Sequence, residues 1–535
     1  MIFFINSTFN RKNSGIEHAQ LKRAKLFRDH DEPFKLVFRE WNPSLHRFLD
    51  EVGVRVDETL AMFDYFQKTE DVEETIVTVG NLDFGVKDAV YTKEAGQDFY
   101  AVTSGNQLLA RVRYFTDDPD ERVSAVEYFD GFNNLYRVDF YDYRGFISLA
   151  QWYTPDNKIG TEVWYDLAGR PVLETFNKYD GVQNYTKAGW RLTETDGKVY
   201  VFSNIDELTL HFYNRLNEQY WQDDSANIFI MDRTHLADWA LLELDRPAYS
   251  VLHLHNSHAG DAQDPMHSVM NNFYEYSLTN ANSYDAIISA TKKQTHDVRM
   301  RFKPTAKLFT IPVGVVPDAD FVTKQIPMSQ RKKHSILVTA RIAPEKRIDH
   351  IIRAMGIAKQ QVPDISIDVY GYIDHRDNDA AIKAINAVIE EYDLNDAVSI
   401  NEYANDVASI QNGSQIYGLA SVMEGFNLSM MEAISHGMVG ITYDVNYGPN
   451  ELIVDGENGY VVPYEGIDAM ADKLVELFTD EAELQTMSTR SYELAERYSE
   501  ENVWKAWKKL LNDAKKKNIE FVPRITNGLG NLMKK

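Results

Sequence analysis

Ser335-Ile336-Leu337-Val338-Thr339-Ala340-Arg341-Ile342-Ala343-Pro344-Glu345-Lys346-Arg347-Ile348-Asp349 decides the fold. Its first five residues are a short apolar and β-branched run with the length of a buried strand. Ala343-Pro344-Glu345 interrupts the run, and apolar residues resume from Ile348 with helical texture. A buried strand, a charged loop and a helix together open a parallel α/β unit. Four further buried strands are predicted at 365–370, 398–400, 416–419 and 439–442, with helical stretches between them. Strands alternating with helices imply a parallel sheet with crossover helices. Ligands of such sheets bind beyond the carboxyl ends of the strands, which sets Arg341 and Lys346 on a ligand-facing loop. A guanidinium fork and an ammonium point charge there would neutralise a diphosphate, although an Arg and a Lys in a loop are more often solvated charges.

Upstream, residues 2–5 read as a first strand, Asn13-Ser14-Gly15 as a loop, 17–28 as a helix and 36–38 as a second strand. From 74 to 202 the texture changes to short Tyr-, Phe-, Val- and Trp-rich runs between Asp, Asn and Gly turns, an antiparallel signal. Tyr141-Asp142-Tyr143-Arg144-Gly145 recurs as Tyr165-Asp166-Leu167-Ala168-Gly169. A meander reusing one hairpin chemistry explains this better than a sugar-binding repeat. After 204, α/β texture returns, with strands expected at 226–231, 249–254, 286–289 and 307–311. The first α/β domain is therefore interrupted by the β-sheet. Residues 499–517 read as a charged helix carrying Trp504 and Trp507, either crossing back to the other lobe or forming a simple surface helix. The expected division is 1–73 with 203–325, an inserted β domain at 74–202, a second α/β domain at 326–500, and a helix and tail at 501–535.

The chain has 535 residues, 44% hydrophobic and 26% charged, which are ordinary globular values. Its 56 Lys+Arg against 81 Asp+Glu leave a formal charge of −25, a field that repels phosphate backbones and anionic lipid. Nucleic acid is disfavoured as a partner, and peripheral membrane contact stays compatible. With no cysteine, disulfides, thiolate metal sites and Cys nucleophiles are excluded. The opening Met1-Ile2-Phe3-Phe4-Ile5-Asn6-Ser7 lacks the layout of a signal peptide, and no stretch is apolar for as long as a membrane helix needs. A cytoplasmic, bacterial protein is expected.

The strongest chemical signal is Glu424-Gly425-Phe426-Asn427-Leu428-Ser429-Met430-Met431-Glu432-Ala433, a loop after the 416–419 strand that leads into a helix. A Gly-containing loop at a helix N-terminus offers backbone N–H groups and a positive dipole end to a diphosphate. Eight residues are about 2.2 helical turns, which would set Glu432 on the same broad side as Glu424, within reach of a ribose. The plainer reading makes Glu424 a helix-start carboxylate and Glu432 a solvated helix residue.

These motifs together resemble the retaining glycosyltransferases of family four, the glycogen-synthase-like group. The resemblance spans about residues 335–465 and takes in Gly371 of Tyr370-Gly371-Tyr372 and the loop Asp455-Gly456-Glu457-Asn458-Gly459-Tyr460. It implies a GT-B fold, two Rossmann-like domains facing a cleft, with the β-sheet inserted in the first. Gly15 is similar to the family glycine that lets backbone approach the donor phosphates. In His253-Leu254-His255-Asn256-Ser257-His258, the resemblance makes His258, and as second choice His255, a contact of the donor sugar or reaction centre. Three histidines in six residues can also bind zinc, but no carboxylate spacing supports this, and the family needs no metal or other cofactor.

The resemblance assigns Arg341, Lys346 and the backbone of Gly425, Phe426, Asn427 and Leu428 to the diphosphate. Glu424 is assigned to the sugar hydroxyls, Glu432 to the ribose, and Glu402, Tyr403 and Ala404 to the base, with Gly371 in the same nucleotide-sugar set. It also implies a same-face displacement in which the leaving diphosphate accepts the acceptor's proton. Met270-Asn271-Asn272-Phe273-Tyr274-Glu275-Tyr276 and the β insertion are similar to the bacterial protein O-glycosyltransferases that initiate glycans on serine-rich adhesins. The implied reaction moves N-acetylglucosamine from its uridine diphosphate to Ser or Thr hydroxyls of a serine-rich protein. The alternatives are a UDP-glucose donor, a wall teichoic acid acceptor, or a non-catalytic subunit of a transferase complex. Implied partners are the UDP-sugar, the acceptor polypeptide, and a second copy or a homologous subunit.

Overall fold

The computed structural model describes residues 1–322, 325–404, 406–517 and 519. The chain forms two compact units. One comprises Met1–Asn13, Pro33–Ser250 and the described residues from Lys517 onward; the other comprises Ser14–Glu32 and Val251–Lys516.

In the first unit, β1 (Ile2–Asn6) pairs in parallel with β2 (Phe34–Phe38), and β2 pairs with β3 (Thr59–Ala61). Ten strands, β4 to β13, run from Val90–Thr92 to Val199–Phe202. The chain then returns as β14 (Ile228–Met231), which lies parallel to β1 with Ile2 opposite Ile228. The interruption read from the sequence is thus present: one sheet is built from chain on both sides of the insertion.

The ten inserted strands pair antiparallel in consecutive order. Their recurring turns are one hairpin type. Asp142 N–H donates to Phe146 C=O at 2.9 Å and Asp166 N–H to Arg170 C=O at 3.0 Å, with Gly145 and Gly169 left-handed. The Asp side chain accepts the amide two residues on, at 2.9 Å in both turns, so the repeat is turn chemistry. One face of the meander carries Trp164 stacked on Trp190 at 5.3 Å and tilted against Phe63 at 4.9 Å.

In the second unit, β15 (Tyr249–Leu254) pairs in parallel with β16 (Ala286–Ser289) from Val251 onward, and β16 pairs with β17 (Lys307–Thr310). A separate six-stranded parallel sheet comprises β18 (Ser335–Thr339), β19 (Ser366–Tyr370), β20 (Val398–Asn401), β21 (Ile416–Leu419), β22 (Val439–Tyr443) and β23 (Gly459–Val462). Its order is β20-β19-β18-β21-β22-β23. The winding reverses between β18 and β21, so the loops leaving these two strands diverge and open a crevice at their carboxyl ends. Strand β23 was read as loop from the sequence. It is a four-residue edge strand entered through Gly459.

The helix Glu500–Ala514 is not a simple surface helix. Trp504 and Trp507 are buried, meeting Phe27 edge-on at 5.3 and 5.4 Å, and His30 stacks on Trp504 at 4.2 Å. Residues 518 and 520–535 of the expected tail lie outside the described residues. Among the described residues, no helix is long and apolar enough to cross a membrane.

Candidate functional site

The loop after β18 carries Arg341, Glu345 and Lys346, and the loop after β21 carries Ser421, Glu424 and Gly425. They meet where the sheet reverses. Lys346 Nζ lies 2.6 Å from Glu424 Oε1, and Ser421 Oγ donates to the same oxygen at 2.7 Å. Val422 N–H donates to Glu345 C=O at 2.9 Å and ties the loops together through backbone. The Glu424 backbone is clasped from a third loop, donating to Asn446 C=O at 3.2 Å and accepting from Tyr447 N–H at 2.7 Å. Only 9% of Glu424 is exposed, so its carboxylate is offered along one narrow edge.

Two readings of this motif are corrected. The helix begins at Leu428, and its cap is Asn427, whose left-handed backbone lets its side chain accept from Met430 N–H at 2.8 Å. Glu424 therefore stands in the loop ahead of the helix. It is not a helix-start carboxylate, and counting helical turns from it to Glu432 does not apply. Glu432 is more than a solvated helix residue: its half-buried side chain is ion-paired, with Lys22 Nζ 3.0 Å from its Oε1. Lys22 sits on the helix Gly15–Asp29, and no local signal in the sequence pointed to it. The amides of Leu428 and Ser429, in the first turn of their helix, have no intrahelical carbonyl to bond.

Gly425 is fixed by close approach. A Cβ there would lie 1.9 Å from the carbonyl oxygen of His255. The Glu424 loop is thus packed against the loop of the histidine cluster, backbone to backbone. Gly425→Ala must push the two loops apart, and we expect it to lower activity at this site by about 10²-fold, the cost typical of a misplacement near 1 Å. Steady-state kinetics on protein with an unchanged melting temperature measures this; activity within twofold of wild type would contradict the packing argument. Gly371 is similarly confined, a Cβ there lying 1.9 Å from Ala340 C=O, so the loops after β18 and β19 touch.

The histidines occupy three environments. His253 is buried, with Nδ1 3.1 Å from Arg23 Nη1. His255 is half-buried beside Gly425, its amide donating to the Tyr274 hydroxyl at 3.0 Å. His258 is fully buried, stacked on Tyr447 at 5.8 Å, with Nε2 3.1 Å from Pro265 C=O. Desolvation pushes its pKa down to about 4, so the ring is neutral at physiological pH. The bond to Pro265 assigns the proton to Nε2 and leaves Nδ1 a lone-pair acceptor. That buried atom has no hydrogen-bond partner among the described residues.

The other predicted residues lie around these loops. Arg341 is paired with Asp374 and Glu345. Glu402 and Tyr403 are exposed and Ala404 half-buried just past β20. Partial burial pushes the Tyr403 phenol up, and the Glu432 carboxylate adds to the shift. Gly15 is exposed in the first turn of its helix, where a Cβ would meet none of the described residues within 4 Å. Phe426 is buried at 3% exposure, so only its backbone is available to a ligand. The structure thus gathers Arg341, Lys346, Glu424 and Gly425 on the loops at the switch point, and pairs Glu432 with Lys22. Ser421, Asn446, Tyr447, Lys22 and Asp374 escaped sequence reasoning.

Residues 322–494 match the family described as glycosyl transferases group 1. A Streptococcus gordonii protein named UDP-N-acetylglucosamine–peptide N-acetylglucosaminyltransferase GtfA subunit is 28% identical over 545 residues, covering 96% of this chain and 99% of the relative. The solved pneumococcal O-GlcNAc transferase GtfA in complex with UDP and GlcNAc superposes with a TM-score of 0.80 at 24% identity, covering 96% of this chain and 99% of that one. The solved GtfA/B complex gives a chain with a TM-score of 0.77 at 26% identity and the same coverage.

Proposed function

From a chain of GT-B fold that carries a glycosyl transferases group 1 domain, we propose a retaining transferase that moves N-acetylglucosamine from UDP-GlcNAc to Ser or Thr hydroxyls of a serine-rich polypeptide. The observation that carries this is the convergence of Lys346 and Glu424, 2.6 Å apart, at the switch point of the sheet. Full-length likeness to a peptide N-acetylglucosaminyltransferase supports the donor and the acceptor class.

In this reading the bond from the sugar C1 to the diphosphate oxygen breaks while the acceptor oxygen approaches from the same face. The acceptor's proton passes to the departing phosphate. The enzyme supplies charge and position in place of a nucleophile. Lys346, Arg341 and the Leu428 and Ser429 amides receive the growing phosphate charge. Glu424 holds sugar hydroxyls, its carboxylate kept in place by Ser421 and by the backbone clasp at Asn446 and Tyr447. Half-buried His255, on the loop packed against Gly425, is suited to meet the donor sugar, while fully buried His258 supports that loop from within. Glu432 binds ribose, with Tyr403 near the base.

Turnover of a panel of UDP-sugars with a serine-rich peptide tests the proposal. GlcNAc transfer with retention at C1 is expected. Glucose transfer would reassign the donor, transfer only to a polyol-phosphate polymer would reassign the acceptor, and no turnover would leave a non-catalytic subunit.

The charge balance proposed at the leaving group uses the cationic donors Arg341 and Lys346 in place of a divalent cation, and we expect transfer to persist in excess chelator. Complete loss, restored by Mn²⁺ or Mg²⁺, would contradict that balance. The inserted meander is proposed as the surface for the acceptor polypeptide or a homologous subunit, and the cytoplasm as the place of action; the GtfA/B complex of a similar chain supports a partner.

A further inference from the structure

Arg341 does not stand alone. Its Nη1 donates to Asp374 Oδ2 and its Nη2 to Glu345 Oε1. A second guanidinium closes the ring: Arg376 Nε lies 2.9 Å from both oxygens of Asp374, and its Nη2 lies 3.0 Å from both oxygens of Glu345. Two guanidiniums and two carboxylates thus form a closed quartet. Each carboxylate is shared, and both are drawn below the usual carboxylate range. For Asp374 the main cause is its bond to Arg376; for Glu345 desolvation opposes the shift, and a backbone hydrogen bond with the Arg341 and Arg376 charges overcomes it.

The quartet spans two loops that are also joined by backbone. Ile342 N–H donates to Tyr372 C=O at 3.0 Å, and Asp374 N–H to Ile342 C=O at 3.0 Å. Directly after Arg376, the residues Asp377, Asn378 and Asp379 are all left-handed, with φ of 53°, 56° and 62°. Consecutive left-handed non-glycine residues are costly and persist only where their surroundings hold them.

We infer that Arg376 is a positioning residue: through Asp374 and Glu345 it fixes the guanidinium of Arg341 for the leaving group. Arg341 has five N–H donors and spends two on the carboxylates, so three remain for phosphate oxygens. Its rotamer is settled before the donor arrives, which removes an ordering cost from the bound state. Arg376 acts only through Arg341. The inference rests on the proposed assignment of Arg341 to the diphosphate.

A double-mutant cycle read as kcat/KM for UDP-sugar turnover tests it. Arg376→Ala in the otherwise wild-type chain is expected to lose about tenfold or more. In the Arg341→Ala background, the same change is expected to cost less than about twofold, because the residue it positions is gone. Arg376→Lys keeps the charge but not the fork that spans both carboxylates, and should fall between. Melting temperatures of all variants check that the fold survives. An equal loss in both backgrounds would make Arg376 a direct ligand or a stability element and overturn the inference, as would no loss in wild type. Wild-type protein that turns over no nucleotide-sugar would instead overturn the reading of the site, and the inference with it.

Discussion

Lys346→Ala loses transfer by about 10²–10³-fold, the usual effect of removing one preorganised donor from a developing oxyanion. The geometry sharpens this expectation. Lys346 lies at the end of the 3₁₀ turn Pro344–Lys346, at the mouth of β18, and its ammonium already sits 2.6 Å from Glu424. Its position is therefore fixed before any phosphate charge develops, and a neutral methyl in its place supplies none of that field. The side chain is partly solvated, so its removal empties no core, but it leaves the buried Glu424 carboxylate without its counterion, and a moderate fall in melting temperature is expected beside the loss of rate. Single-turnover rates with saturating donor measure the effect. Transfer within a few-fold of wild type would remove Lys346 from the leaving-group assignment.

Glu424→Ala should abolish transfer while UDP still binds within a few-fold of wild type. The expected split follows from where the carboxylate stands: on the loop ahead of the Leu428–Ser435 helix, bonded to Ser421 and Lys346. The helix cap belongs to Asn427 and survives the substitution, so the backbone amides proposed for the diphosphate keep their geometry. What is lost is the acceptor for the sugar hydroxyls and the counterion of Lys346. Calorimetric titration with UDP, set beside transfer kinetics, separates the two. Loss of UDP binding in parallel with transfer would make Glu424 a nucleotide ligand.

Much of the fold was legible in the sequence because its signals are local. The runs at 335–339, 416–419 and 249–254 are short and mostly apolar or β-branched, as buried strands tend to be, and the structure has β18, β21 and β15 there. The meander was legible from its turns, since an Asp that accepts its own downstream amides and a left-handed residue three positions on form a local pattern. Strand β23 was missed because it begins inside the stretch 455–460, whose Asp, Gly and Asn residues read locally as a loop. Counting helical turns from Glu424 failed because the helix starts only at Leu428, after a left-handed Asn427 cap.

The sequence alone determined the residue types at the candidate site and the order of elements that delivers them: Arg341 and Lys346 after one buried strand, Glu424 and Gly425 after another. It could do so because strand ends, glycines and charged loops are written in neighbouring positions. Only the tertiary structure decided what these residues touch. Lys22 pairs with Glu432 from a helix near the start of the chain, Tyr447 clasps the backbone of Glu424, and Asp374 and Arg376 close around Arg341. Such pairings depend on which strand ends the winding of the sheet brings together and on how closely backbone can approach at Gly425 and Gly371. Distance in space between residues far apart in the chain is set by packing, and packing has no signature in any one stretch of sequence.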